Sequence, residues 1–136
     1  MDEIWSFVYA KNDNVKKAKA APETAGDLWK WTAICADTKL IVSWLLGSRD
    51  MDAALAFTHD LESRLANRVQ LTSDGHRPYL QGVEAAFSDQ VDYAMLVKLY
   101  GADPQAETRY SLAKCIGARK QVVEGSQPQA DQHVLR

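Results

Sequence analysis

Cysteine is scarce in this 136-residue chain: Cys35 and Cys115 stand far apart, with no CxxC pair. That scarcity excludes a disulfide-stapled scaffold or a zinc ribbon and predicts two free, buried thiols in a reducing compartment. Four prolines and seven glycines are too few for a collagenous or low-complexity chain. No apolar run reaches the ~18 residues that a helical membrane span needs. Met1-Asp2-Glu3 lacks the basic start of a secretory leader, so a cytoplasmic protein without a membrane partner is expected. Neither charge sign is in large excess. With 16 Lys and Arg against 18 Asp and Glu the net charge is −2, and any nucleic-acid contact has to come from local basic clusters.

What is present suits one globular domain. The hydrophobic fraction is 46% and the charged fraction 25%, ordinary values for a folded chain. A chain of this length buries roughly 68% of its unfolded surface. Residues Ile4 to Ala10 are rich in aromatic and β-branched side chains and predict a first strand. Lys11 to Gly26, with Lys11, Lys16, Lys17 and Lys19, predicts a polar basic loop. Leu28–Cys35 and Lys39–Leu46, split by Ala36-Asp37-Thr38, form a hairpin pattern. Ala54, Phe57, Leu61 and Leu65 share one helical face, with Ser48 or Asp50 as the N-cap. Arg68 to Thr72 predicts a short strand, Pro78 opens a second helix carrying Leu80, Val83 and Phe87, and Val91 to Tyr100 predicts a last strand. The expected order is β-β-β-α-β-α-β: an α/β mixed sheet with helices packed on it. Trp5, Trp29, Trp31 and Trp44 are expected between sheet and helices, and His59 on a solvated helix face.

Two aspartates carry the chemistry. Asp2 opens the first strand in Asp2-Glu3-Ile4-Trp5-Ser6-Phe7, and Asp74 ends another in Ser73-Asp74-Gly75-His76-Arg77-Pro78-Tyr79. Two carboxylates at strand ends suit a hard divalent cation, which takes oxygen ligands and shares them with substrate phosphate. An Asp before Gly is also a common turn former.

The wording of these two segments resembles the insertion-sequence transposases of the DDE class, over residues 1 to about 124. The resemblance implies a ribonuclease-H-like fold in which Asp2 and Asp74 are the first two of three catalytic, metal-binding carboxylates. It implies Mg2+ or Mn2+ as a two-metal cofactor, DNA as the partner, and cleavage and transfer of DNA strands. Lys11, Lys16, Lys17, Lys19 and His76 are then candidate DNA contacts, and a homo-oligomer or an intact transposase subunit a further partner. The third carboxylate is expected on a helix within a Val-Glu-Arg-Gln-Asn-like stretch that this sequence lacks; Glu107, in a Gly- and Pro-broken segment, is a weak substitute. The resulting expectation is a core over residues 1–100, an insertion-like loop over 101–124 and a disordered tail over 125–136. It is a fragment truncated at both ends and inactive as it stands, or a non-catalytic remnant.

Overall fold

The computed structural model describes residues 1–101 and 114–125. Its elements are β1 (Asp2–Val8), α1 (Asn12–Val15), β2 (Gly26–Ile34), β3 (Ile41–Gly47), α2 (Met51–Ser63), β4 (Val69–Asp74), α3 (Pro78–Phe87), β5 (Val91–Gly101) and β6 (Lys114–Glu124). The chain is mixed α/β, as its periodicities predict. Residues 102–113, with Glu107, and 126–136 lie outside the described residues.

The strands form two three-stranded sheets rather than one. In the first, of order β1-β2-β3, all pairs are antiparallel, with Asp2 opposite Thr32 and Glu3 opposite Trp31. In the second, of order β4-β5-β6, β4 and β5 run parallel with Asp74 opposite Leu96, and β6 returns antiparallel along β5. Only a crossover joins parallel neighbours, and α3 supplies it. β6 departs from the expected loop over 101–124. Its stretch Cys115-Ile116-Gly117-Ala118 is short of helical or alternating pattern, and pairing with the long β5, not local propensity, makes it a strand.

The helices form where the sequence places their signals. Asp50 caps α2, its carboxylate accepting from Ala53 N at 3.0 Å. Pro78 stands in the first turn of α3. Where the two helices cross, the Thr58 hydroxyl lies 2.9 Å from the Gly82 carbonyl, and a Cβ at Gly82 would meet Thr58 Oγ1 at 3.0 Å. Glycine there permits the close approach. One core serves both sheets: Trp31 from β2, Phe57 and Leu61 from α2, Tyr79 and Val83 from α3, Val91 and Tyr93 from β5.

Among the tryptophans only Trp31 is fully buried; Trp44 is 63% exposed on the outer face of the first sheet, with Ile4 and Leu46 nearby. That corrects the expectation of four packed tryptophans, because alternation along a strand does not say which face a helix covers. Both cysteines are free thiols, but Cys115 is exposed and Cys35 only half-buried.

Candidate functional site

The two sheets meet where β1 begins. The Met1 ammonium donates to the Thr72 carbonyl of β4 at 2.6 Å, setting the first residues of β1 against the end of β4. As a result Asp2 and Asp74, 72 positions apart in the sequence, line one open cleft of about 480 Å³ together with Thr72, Ser73, Lys39 and Lys98. Sequence analogy expects these two aspartates to meet; the structure puts both on the lining of one cleft.

Each carboxylate is held by one oxygen. Asp2 Oδ1 accepts from Glu3 N at 2.9 Å, and Asp74 Oδ1 accepts from His76 N at 3.1 Å. The second is the side-chain turn that an Asp-Gly pair favours, so turn-forming and cleft-lining roles coexist at Asp74. These bonds leave Oδ2 of each residue for another partner. A cationic group already sits in that field: burial lowers the pKa of the Met1 amine, while the charges of Asp2, Asp74 and Glu3 oppose the shift. Two carboxylates acting on one cation fit the oxygen-donor set of a magnesium or manganese ion in kind. Among the described residues no group of three or more His, Cys, Asp or Glu side chains is arranged to hold a metal.

The basic residues of the site are not the expected ones. Lys11, Lys16, Lys17 and Lys19 follow the far end of β1, whose six steps carry Val8 about 20 Å from Asp2, and none of the four lines the cleft. Lys11 instead lies over the Trp5 ring, 5.0 Å from its centroid, and the α1 segment is tied to β2 by reciprocal bonds between Asn12 and Asp27 of 2.9 and 3.1 Å. The lysines at the cleft are Lys39, in the β2–β3 turn, and Lys98, two residues past the partner of Asp74 on β5. Isolated lysines in a turn and on a strand carry no sequence signal, and only folding collects them.

His76 turns inward. Its ring packs 5.5 Å from that of Trp31 and 5.9 Å from that of Tyr79, and its Nε2 is buried without a partner. Burial lowers its pKa, with the Glu3 and Asp74 carboxylates opposing and Arg49 reinforcing the shift. A neutral inward imidazole is poorly placed to meet a DNA phosphate.

Behind the cleft lies a polar group that the sequence did not single out. The Glu3 side chain is fully buried; its Oε2 accepts from Arg49 Nε and Nη2, each at 3.1 Å, and Arg49 stacks 4.5 Å over Trp29. Glu3 Oε1, His76 Nε2 and Tyr79 OH are all buried and lack a well-formed hydrogen bond, although the Tyr79 phenol and the Glu3 carboxylate are close enough to interact. A buried atom left wholly without a partner, as His76 Nε2 is, costs about 1–3 kcal/mol. Burial, then the Glu3 carboxylate, pushes the Tyr79 phenol far above its ordinary pKa, and burial raises Tyr93 to about 12.

These two phenols predict alkaline sensitivity. Both folded-state pKa values lie above that of an unfolded tyrosine, so between pH 10 and 12 the folded chain keeps protons that the unfolded chain releases. Stability is therefore complete below pH 10 and falls above it, by about 1.4 kcal/mol per pH unit for each tyrosine. Urea unfolding at pH 9, 10 and 11 is expected to show this decline, and a shallower one in Tyr93→Phe.

No protein-family model, curated protein or solved structure matches the chain.

Proposed function

We propose that the Asp2–Asp74 cleft binds a divalent cation and works on the phosphates of DNA, as the carboxylate pair of a ribonuclease-H-like, DDE-type transposase core. The observation that carries this reading is the meeting of two strand-end aspartates, remote in sequence, on one cleft. The contact that joins the start of β1 to β4 supports it as well, the Met1 ammonium bridging the two sheets at the Thr72 carbonyl.

Asp2 and Asp74 would hold the ion through the oxygens that the Glu3 and His76 amides leave available. A bound magnesium or manganese ion would polarise a phosphate oxygen and lower the pKa of an attacking water or 3′-hydroxyl. Lys39 and Lys98 line the same cleft and suit flanking phosphates, to which an ammonium is a compact point charge. In its intact form such a core cuts DNA and transfers the strand.

A second reading has its own observation. With no three-membered ligand group among the described residues, the chain fits a non-catalytic remnant that binds DNA or an intact transposase subunit. Catalysis by metal-assisted phosphoryl transfer changes tenfold for each ~1.4 kcal/mol of barrier, so two carboxylates alone are expected to give no cleavage above background.

Manganese titration calorimetry separates these possibilities from no site at all. The chain is expected to bind Mn2+ weakly, and Asp2→Asn or Asp74→Asn to weaken binding roughly tenfold or more while the fold persists. Unchanged binding in both variants would remove the metal site. Magnesium-dependent nicking by the unaltered chain, lost in Asp74→Asn, would displace the remnant reading.

A further inference from the structure

Asp2 and Glu3 are neighbours on β1, so strand alternation sends them to opposite faces: Asp2 opposite Thr32 toward the cleft, Glu3 opposite Trp31 into the core. The β4–α3 turn repeats this division. Asp74 faces the cleft, while His76, whose amide holds the Asp74 carboxylate, puts its ring against Trp31 and Tyr79. Tyr79 is bound to the same turn, its amide donating to the His76 carbonyl at 3.2 Å. Each cleft carboxylate is thus one or two residues from a member of the buried polar group.

That group is a poor choice for stability alone. A buried carboxylate whose one oxygen pairs with the half-exposed Arg49, and whose other oxygen has only a poorly formed interaction with the Tyr79 phenol, gains little over an apolar cluster of the same volume. Local departures of this kind concentrate where function constrains geometry. The position, directly behind the cleft and joining its two halves, indicates which function.

We propose that Glu3 and Tyr79 are positioning residues. With Arg49 and His76 they form a buried polar clamp that fixes the start of β1 to the β4–α3 turn and so sets the spacing of Asp2 and Asp74. The proposal rests on the reading of the cleft as a cation site. Arg49 anchors Glu3 from the β3–α2 connection, and Trp31, the partner of Glu3 across β1 and β2, packs against the rings of both His76 and Tyr79.

The test uses the full chain with Tyr79→Phe, which deletes one hydroxyl, and with Glu3→Gln and Glu3→Ala. Three quantities are measured: thermal unfolding, Mn2+ affinity by calorimetry, and hydrogen exchange of the His76 amide against those of Phe57 and Leu61. A clamp predicts that Tyr79→Phe stays folded, binds Mn2+ roughly tenfold more weakly and exchanges the His76 amide roughly tenfold faster, with Phe57 and Leu61 unchanged. Glu3→Gln, which keeps the shape and an acceptor, is expected to retain more of both properties than Glu3→Ala. Wild-type affinity and wild-type His76 exchange in a folded Tyr79→Phe overturn the proposal. If Tyr79→Phe fails to fold, Glu3→Gln decides by the same criteria. If the unaltered chain binds no Mn2+, the cation reading of the cleft fails, and His76 exchange alone decides whether the clamp exists.

Discussion

Replacing Trp31 with alanine is expected to abolish cooperative unfolding near room temperature. Trp31 is wholly buried and packs its ring 5.9 Å from Phe57, 5.5 Å from His76 and 5.3 Å from Tyr79, so it joins the first sheet to both large helices. Its indole N–H also donates to the Ser48 carbonyl at 2.9 Å, securing the turn that leads into α2. Truncating a buried aromatic of this size costs about 3–5 kcal/mol. An ordinary domain has only about 5–15 kcal/mol in total, and the orphaned Ser48 carbonyl adds to the loss. Trp31→Phe keeps part of the ring packing and is expected to remain folded with a lowered midpoint. Circular dichroism melts of both variants check this; a near-wild-type midpoint in Trp31→Ala would show that the core does not depend on this side chain.

The largest expected effect on binding comes from Lys39 and Lys98 together. Affinity of Lys39→Ala/Lys98→Ala for a short DNA duplex is expected to fall roughly tenfold at low salt. The slope of log K against log salt is expected to become shallower by about 1.8, since each neutralised phosphate adds about 0.9 to it. The reason is position: both lysines line the cleft with Asp2 and Asp74, Lys39 with its ammonium on the Ala36 carbonyl, whereas the lysines of the 11–19 segment follow the other end of β1. Lys16→Ala/Lys17→Ala is the control, and its affinity is expected to stay close to that of the unaltered chain. Fluorescence anisotropy over a salt series measures both slopes. A drop in affinity confined to the Lys16 and Lys17 variant would put the phosphates on the basic loop and leave the cleft without a DNA role.

Local signals in the chain suffice where one element decides its own form. The aromatic, β-branched Ile4–Val8 run makes a strand, Asp50 caps α2, Pro78 opens α3, and Asp74-Gly75 makes the turn its composition favours. The candidacy of Asp2 and Asp74 was also legible, because a carboxylate at a strand end is a local feature.

By itself, then, the sequence determined the mixed α/β class, most element positions and two of the groups in the cleft. The tertiary structure alone decided which faces were covered, leaving Trp44 exposed and Trp31 enclosed although both sit in alternating strand patterns. It also decided that two sheets form, that residues 114–124 add a strand, and that Lys39 and Lys98 rather than the loop lysines reach the cleft. Glu3 shows the limit most clearly: beside Asp2 in the sequence it looks like a second surface acid, yet the helices that close over that face of β1 bury it against Arg49. Periodicity specifies alternation within an element, whereas strand order, covered faces and side-chain neighbours depend on packing between residues far apart in the chain.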